Sequence, residues 1–514
     1  MNKTILELGC SQRPFTLSNL EDVAAGRVSL RLHESVKERV QVSRDFVEQV
    51  LASGETVYGI NTGFGRLASE RISLEQVSQL QRNLLRSHAA GVGEPLDIPA
   101  VRAIIALRVN SLISGKSGVN YELLESMLNL LHKEVTPFVP SRGSVGASGD
   151  LAPLAHVGLV LMGEGQAYYE GHLMPTALAF QATGLRPYEF RAKEALAAIN
   201  GTQLMCAVGG LALARAGRIL KMADVIGGMT LEALMGTDSA YHAAIQEARP
   251  HPGQISAAAN LRRCLSRSAL IASHKDCAKV QDPYSLRCIP QVHGASREGY
   301  TFAAGVIERE MNSVTDNPLV FPDLGLILSG GNFHGAPAAL ALDCAAIALG
   351  YLSTISERRC DRLLNPDTND HLPPFLARGH GLNSGLMIVQ YVSAALASEG
   401  KLLTHPASSD TIPTSGGYED HVSMGPAAAF KLEKLLGFIE QILACEWLCA
   451  SEALEHRRPH SFGPGTEAAY GLLRQQVEPL GEDRPFYEDL AKTLGLVNSG
   501  ALLREVEKAV GPLE

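Results

Sequence analysis

The sequence predicts a mainly α-helical protein, in which a bundle of long helices follows a smaller N-terminal part of mixed structure. Only 5% of the residues are aromatic, with a single Trp, and Ala and Leu dominate, which favours helices. Apolar residues recur at helical spacing over long stretches. The sequence lacks the regular alternation of strands and helices that a doubly wound sheet would require. We assign residues 1–200 to the N-terminal part and residues 201–514 to the bundle.

Shorter helices, glycine-rich loops and two hairpins are predicted outside the long helices. Ser73 is a candidate N-cap, because Gln76 follows three residues later as in a capping box. Each hairpin turns at a glycine, Gly171 or Gly325. In chain order these elements are an amphipathic helix over residues 21–52, a loop over Thr56–Arg66, helices over 73–91 and 121–131, a second loop over 143–149, and hairpins over 167–174 and 319–328.

Four segments exceed the usual length of a globular helix, which is about 12 residues. The last of them carries a single apolar stripe, which is typical of a bundle helix. Residues 336–356 are the most membrane-like stretch, but Asp343 lies in their middle, so we predict a buried helix instead of a membrane span. The four segments are Gly210–Met235, Ala336–Leu364, Leu386–Leu403 and Ala427–Arg457.

The composition is that of a globular enzyme-sized chain without a nucleic-acid or membrane partner. Of the 514 residues, 46% are apolar and 19% are charged, which excludes a disordered chain. The net charge of −9 argues against general binding of nucleic acid or anionic lipid. Nine cysteines without a C-x-x-C pair predict reduced thiols, and no apolar secretory segment follows the first residues. We therefore expect a cytoplasmic protein.

The most unusual segment is Gly143–His156, which is rich in glycine and alanine. It lacks the Lys-Ser/Thr ending of a phosphate-binding loop and the G-x-S-x-G spacing of a hydrolase elbow. Two interpretations remain. In one, the segment is a tight turn and Asp150 caps the next helix. In the other, its backbone undergoes chemistry of its own.

Backbone chemistry at Ala147-Ser148-Gly149 has a clear physical basis. If the amide nitrogen of Gly149 is forced against the carbonyl carbon of Ala147, a five-membered ring can close with loss of one water. Loss of a second water then turns Ser148 into a dehydroalanine-like methylidene group. Gly149 has no Cβ to obstruct this closure. The product is an electrophile, which no ordinary side chain supplies.

The surrounding sequence makes this second interpretation specific. The segment Gly143–His156 resembles the cofactor-forming segment of the aromatic amino acid ammonia-lyase family, whose members carry an autocatalytic methylidene-imidazolone. The resemblance implies that Ala147, Ser148 and Gly149 form this group and that no external cofactor is needed. It extends over most of the chain, through further motifs at Tyr58–Gly65, Asn200–Thr202, Gln281–Arg287, Ser313–Pro318 and Gly330–His334.

Two further motifs resemble the branch of the family that acts on histidine, Ser87–Gly91 and Glu419–Met424. This resemblance implies elimination of ammonia from L-histidine to give trans-urocanate. Gly335-Ala336 and Gly417-Tyr418 depart from the usual pattern of that branch, and both pairs adjoin the site. Two alternatives therefore stay open: a tyrosine or phenylalanine ammonia-lyase or 2,3-aminomutase of the same family, and a catalytically inactive helical scaffold.

The resemblance also implies a role for each side chain of the site. Tyr58 is the candidate general base for the β-proton, which requires a pKa below the usual value of about 10. Tyr284 is a second candidate, for the same proton or for holding the amine. The planar fork of Arg287 suits the substrate carboxylate, with Asn200 and Gln281 assisting.

The imidazole end of the substrate is assigned to three residues. His88 and Glu419 would each hydrogen-bond to one ring nitrogen, and Phe333 would pack against the ring. His156, His334 and His421 do not have the spacing of metal ligands, so no catalytic metal is predicted. Members of the family resemble homotetramers with shared active sites, which implies the same assembly here.

Overall fold

The protein is mainly helical, as predicted. The computed structural model describes residues 3–10, 14–63, 72–277, 279–379 and 381–514, and within them lie twenty α-helices and nine short strands. Up to residue 200 the elements are β1 (Thr4–Leu8), α1 (Leu17–Ala24), β2 (Val28–Leu32), α2 (Ser35–Ser53), α3 (Val77–His88), β3 (Val92–Pro95), α4 (Ile98–Leu112), α5 (Tyr121–His132), β4 (Thr136–Pro137), β5 (Pro140–Arg142), α6 (Leu151–Leu161), β6 (Gln166–Tyr169), β7 (His172–Pro175), α7 (Thr176–Thr183) and α8 (Glu194–Ile199).

Long helices dominate the remainder of the chain. Its elements are α9 (Gln203–Ala233), α10 (Ala243–Ala248), α11 (Pro252–Leu265), α12 (Ala269–Ala272), α13 (Tyr284–Arg287), α14 (Ile289–Met311), β8 (Leu319–Phe321), β9 (Leu326–Leu328), α15 (Ala336–Leu364), α16 (Met387–Leu403), α17 (Gly425–Glu455), α18 (Pro464–Arg474), α19 (Phe486–Asn498) and α20 (Ala501–Val510). The four predicted long helices correspond to α9, α15, α16 and α17.

The chain forms two compact units. Unit 1 comprises Met1–Ala214, Ala303–Asp343 and Pro406–Phe430, and unit 2 comprises Arg215–Phe302, Cys344–His405 and Lys431–Glu514. The boundaries between these segments fall inside the long helices α9, α14, α15 and α17 or just after α16. The predicted domain boundary at residue 200 stays a prediction.

The prediction of one helix over residues 21–52 is wrong. Helix α1 ends at Ala24, Gly26 then turns the chain with a φ of +69°, and β2 pairs in parallel with β1 before α2 begins. The apolar pattern of the sequence continues through this region. The backbone nevertheless turns, because a glycine in the left-handed conformation follows α1. The result is a single strand–helix–strand unit of two parallel strands.

The other short elements follow the predictions closely. The helix expected from Ser73 begins with a 3₁₀ turn at Leu74–Gln76 and continues as α3. Helix α5 starts at Tyr121, as expected. Both hairpins are present, as the antiparallel pairs β6–β7 and β8–β9.

The apolar stripes of the long helices are buried. In α17 the stripe is completely inaccessible to solvent; its members are Leu432, Leu435, Leu436, Ile439, Ile442, Leu443 and Leu454. By length and composition, α9 and α15 could cross a membrane, but 72% and 67% of their most apolar windows are buried inside the protein. This is the pattern of core helices in a globular protein.

Candidate active site

The three residues predicted to form the cofactor, Ala147–Gly149, lie in a tight loop directly before α6. Gly146 and Gly149 have φ values of +77° and +76°, and Ser148 has a φ of +50°. A left-handed conformation is uncommon for a residue that carries a side chain, and such strain is concentrated at functional sites. The strain lies at the central residue of the predicted ring.

Gly149 lies directly against Gly201, the second residue of the asparagine motif. The two glycines form an isolated parallel β-bridge, and the amide of Asp150 donates to the carbonyl oxygen of Gly201 at 2.7 Å. A Cβ added at Gly149 would come within 2.5 Å of the carbonyl carbon of Gly201. Only glycine fits here, as ring closure by this amide also requires. The local backbone therefore fits the methylidene-imidazolone that the family implies.

Asp150 ties the cofactor segment to α9. Its buried carboxylate accepts from the amides of Leu204 and Met205 at 2.9 and 3.0 Å, and from the Ser144 hydroxyl at 3.2 Å. The interpretation of Asp150 as a side-chain cap of the helix that follows it is wrong, because these amides belong to the first turn of α9. Burial raises the pKa of Asp150 to about 7, although these three hydrogen bonds lower it.

Glu419 contacts the central residue of the segment. The hydroxyl of Ser148 donates to Oε1 of Glu419 at 2.8 Å, and the hydroxyl of Thr414 donates to Oε2 at 2.6 Å. Thr414 and Glu419 also form an isolated antiparallel bridge, which fixes the loop that carries the carboxylate. The predicted substrate-binding carboxylate and the predicted cofactor residue therefore lie side by side.

His88 belongs to the same electrostatic environment. It occupies the last turn of α3, and the Ser87 hydroxyl lies 3.0 Å from its Nδ1. Burial lowers the pKa of His88, while a hydrogen bond to the backbone carbonyl of Leu84 and the negative charge of Glu419 raise it. A lowered pKa favours the neutral imidazole, which has one donor and one acceptor nitrogen.

Asn200 is buried beside Gly201, at the end of α8. Its carbonyl oxygen accepts from Nη1 of Arg108 at 2.8 Å, and the same Nη1 donates to Gln203 Oε1 at 3.0 Å. The Oδ1 atom of Asn200 is buried without a hydrogen-bond partner among the described residues. A buried amide oxygen of this kind is available to a donor group of a ligand.

Tyr58 lies in the turn after α2 and is half-buried. The turn is held by Asn61, whose side chain accepts from the amide of Val57 at 2.9 Å and donates to the carbonyl of Glu55 at 2.7 Å. The remainder of this motif after Gly63 lies outside the described residues. The predicted base is thus placed by a short, internally hydrogen-bonded loop of unit 1.

Phe333 lies in the turn before α15, in unit 1, and is half-buried. Nearby, a Cβ added at Gly335 would come within 2.5 Å of the sulfur of Met205 and 3.0 Å of the hydroxyl of Ser423. One added at Gly146 would overlap the same Ser423 hydroxyl. Ser423 therefore lies between the turn that carries Phe333 and the loop that carries Ser148.

Gln281, Tyr284 and Arg287 belong to unit 2. Tyr284 and Arg287 lie on the single-turn helix α13, with the guanidinium carbon of Arg287 4.6 Å from the centre of the Tyr284 ring. Gln281 and Tyr284 are exposed, and the Nε of Arg287 is buried without a partner among the described residues. The position of these three residues relative to the site of unit 1 stays a prediction.

Buried polar groups of unit 2 fix the backbone of α13. The hydroxyl of Tyr241 donates to the carbonyl of Leu286 at 2.9 Å, and Arg359 donates to the carbonyl of Ser285 at 3.5 Å. Arg359 is itself held by a buried ion pair with Glu446, with Nε–Oε1 at 2.5 Å.

The three histidines that lack the spacing of metal ligands, His156, His334 and His421, contact other groups. The ring of His334 stacks on that of His421 at 5.8 Å, and Nε2 of His156 accepts from the amide of Gly91 at 3.2 Å. Among the described residues, no group of three or more His, Cys, Asp or Glu side chains could hold a metal ion.

Three residues that organise the site were not singled out from the sequence: Arg108, Thr414 and Ser423. Arg108 left a signal, because it is a charged residue in the predominantly apolar helix α4, where it is buried. Ser423 lies within the motif Glu419–Met424, although no role was assigned to it. Thr414 left no signal, since a hydroxyl residue in a loop has no characteristic spacing.

Comparison with known proteins identifies the family of the chain. A family model described as "Aromatic amino acid lyase" matches residues 15–475. The chain belongs to the aromatic amino acid lyase family, and the predicted enzyme class, a carbon–nitrogen lyase, is confirmed together with the mainly α fold.

Individual relatives cover nearly the whole chain. The histidine ammonia-lyase of Stigmatella aurantiaca is 51% identical over 493 residues, which are 96% of each chain. The crystal structure of histidine ammonia-lyase from Trypanosoma cruzi is 39% identical, with a TM-score of 0.90 over 99% of this chain and 96% of that one. The tyrosine aminomutase of Streptomyces globisporus is 34% identical, with a TM-score of 0.94 over 99% of this chain and 100% of that one.

Proposed function

We propose that this protein eliminates ammonia from L-histidine to give trans-urocanate, in the breakdown of histidine. The proposal includes a methylidene-imidazolone formed from Ala147, Ser148 and Gly149, with no external cofactor. The names of the relatives at about half identity support this reaction, since they are histidine ammonia-lyases across nearly their full length.

The observation that carries the proposal is the contact between Glu419 and Ser148, at 2.8 Å. It brings a carboxylate to the place where an amino acid substrate would react. A carboxylate accepts from the N–H of an imidazole, and His88, whose pKa is lowered by burial, can serve the other ring nitrogen. A phenyl ring would leave the buried part of Glu419 without a partner, which disfavours phenylalanine.

The reaction needs an electrophile and a base. Once formed, the methylidene-imidazolone supplies the electrophile that makes the substrate amine a better leaving group. Tyr58 takes the β-proton through its phenolic oxygen. Two helices begin beside the segment, α6 directly after Asp150 and α9 two residues after Gly201, and their N-terminal amides favour the accumulation of negative charge there.

The amino and carboxylate groups of the substrate are assigned to polar side chains. The unpartnered Oδ1 of Asn200 is suited to accept from the amino group. Arg287 binds the carboxylate as a fork, assisted by Gln281, and Tyr284 holds the amine or acts as a second base. Phe333 packs against the imidazole ring.

We further propose a cytoplasmic homotetramer with shared active sites, a small-molecule substrate, and no nucleic-acid or membrane partner. The net charge of −9 supports the absence of a nucleic-acid partner and of a membrane partner. Light scattering during gel filtration tests the assembly: four chains of 54.9 kDa give about 220 kDa. A mass near that of one or two chains would contradict the tetramer.

Intact mass and a substrate comparison test the reaction. The purified protein should lack the mass of two water molecules, and Ser148→Ala should restore the full mass and abolish turnover. L-Histidine, L-tyrosine and L-phenylalanine are then compared by product absorbance and by released ammonia. An unmodified mass would identify an inactive scaffold, and failure to release ammonia from histidine would refute the substrate.

A second candidate is a lyase or 2,3-aminomutase that acts on tyrosine or phenylalanine. The TM-score of 0.94 to a tyrosine aminomutase favours it, as does the pair Gly417-Tyr418, which departs from the pattern of the histidine branch beside Glu419. The same assay separates the two, because an aminomutase converts tyrosine to its β-amino isomer and keeps the nitrogen.

A further inference from the structure

A cavity of about 670 Å³ lies in unit 1 and contains none of the active-site residues described above. It lies beside the parallel strands β1 and β2, and its remaining walls come from α1, α4 and α5. Its volume is in the range of small-molecule sites, about 300–1,000 Å³. The side chains that line it determine what it can bind.

Arg102 of α4 lines the cavity with a buried guanidinium group. The residue is only 8% exposed. Its Nε donates to the carbonyl of Val23 at 3.1 Å, which leaves the two terminal amino groups of the fork for another partner. Among the described residues no carboxylate lies within ion-pair distance of this fork. Burial lowers the pKa of Arg102, as expected for a cation without close compensation, while the charge of Glu134 raises it.

Two further cations line the cavity, and each already has a partner. Lys3 Nζ lies 2.9 Å from Glu134 Oε1, and Arg31 Nη2 lies 3.0 Å from Glu7 Oε1. Both pairs are largely exposed, so they contribute little to stability. Arg102 is therefore the cation of this cavity whose charge is uncompensated at short range.

The walls around Arg102 are mostly apolar. Val23, Leu30 and Leu131 are buried, and Ile5 and Val28 are more exposed. His132 completes the lining, and its Nε2 is engaged with the carbonyl of Leu30 at 2.9 Å. A ligand that fits must combine an anionic group with an apolar body.

We propose that this cavity binds a small organic carboxylate, with the carboxylate on the fork of Arg102 and the apolar body against Leu30 and Leu131. The fork of an arginine matches a carboxylate with two parallel hydrogen bonds. Because the guanidinium is already removed from most of the solvent, an anion that binds it gains more than it would at an exposed arginine. Apolar contact with the walls adds to this.

Calorimetric titration of the intact protein with hexanoate tests the proposal. Hexan-1-ol has the same body without the charge, and inorganic phosphate has the charge without the body. Titration is carried out with the active site saturated by urocanate, so that binding there does not contribute. Hexanoate should bind, and both other compounds should bind at least tenfold more weakly. Equal affinity for hexan-1-ol or for phosphate would overturn the assignment.

Two variants locate the binding. Arg102→Gln should weaken hexanoate at least tenfold, whereas Arg86→Gln, which changes an exposed arginine, should not. Should Arg102→Gln fail to fold, Ser29→Glu places a competing carboxylate on the wall of the cavity and should have the same effect. Turnover should be unchanged in all three variants. Only the blocking by urocanate rests on the proposed function, whereas the comparison of Arg102→Gln with Arg86→Gln locates the binding without it. Unaltered affinity in Arg102→Gln or in Ser29→Glu would refute the site.

Discussion

The buried carboxyl of Asp150 makes the stability of the protein depend on pH in a defined direction. Its pKa rises from 3.8 to about 7, first because of burial. Between these two values the folded protein binds a proton that the unfolded chain has lost. Stability from this group is therefore present at low pH and is lost as the pH rises towards about 7.

The magnitude follows from the same two values. A shift of the pKa from 3.8 to about 7 corresponds to roughly 4 kcal/mol of unfolding free energy. Asp150→Asn keeps an oxygen to accept from the amides of Leu204 and Met205, but it does not titrate. The free-energy difference between wild type and this variant should therefore decrease by up to about 4 kcal/mol from pH 4 to pH 8.

Guanidinium unfolding of both proteins across this pH range measures that difference. Glu232→Gln is a matched control in unit 2, because burial also raises the pKa of Glu232 to about 7. Each variant should remove its own pH-dependent contribution, and the double variant should remove the sum of the two. Parallel curves for wild type and Asp150→Asn would refute the reasoning.

Three further predictions concern the active site. Gly149→Ala would combine a left-handed φ of +76° with overlap against Gly201, so the ring should not form. The intact mass of this variant should show that both waters are retained, and normal water loss would contradict the close approach of the two residues. Glu419→Gln should lower kcat/KM for histidine by about 10- to 100-fold, the value of one hydrogen bond to a charged group, without a similar decrease for tyrosine; an equal decrease for both substrates would argue against recognition of the imidazole. Arg108→Met removes the donor to the carbonyl of Asn200, so steady-state kinetics should show KM for histidine raised about tenfold, and unchanged KM would show that Arg108 does not position Asn200.

The fold could be predicted from the sequence wherever periodicity extends over many turns. Helices α15 and α17 have long apolar stripes, and their observed ends agree with the predicted ends within two residues. The failure at residues 21–52 lies where two short elements, α1 and β2, precede the longer helix α2. A two-turn helix and a five-residue strand are too short for their apolar periodicity to be recognised in the sequence. The direction of the backbone between them depends on Gly26, which has a left-handed conformation.

The site could be predicted in its residues but not in its contacts. The motifs indicated Ser148 and Glu419 separately, and nothing in the sequence showed that they touch. That contact spans 271 positions of the chain and depends on the folding of all the intervening elements. Arg108 was missed for the same reason, since its partner Asn200 is 92 positions away.

The way in which Asp150 caps α9 has a consequence for biosynthesis. The strained loop before α6 is held by the first turn of a helix that begins 53 residues after it, and by an amide of Met424 that donates to the carbonyl of Val145 at 2.9 Å. A nascent polypeptide lacks the first restraint until Met205 has been added and the second until Met424 has been added. The loop can therefore have all of these restraints only after Met424 has been synthesised.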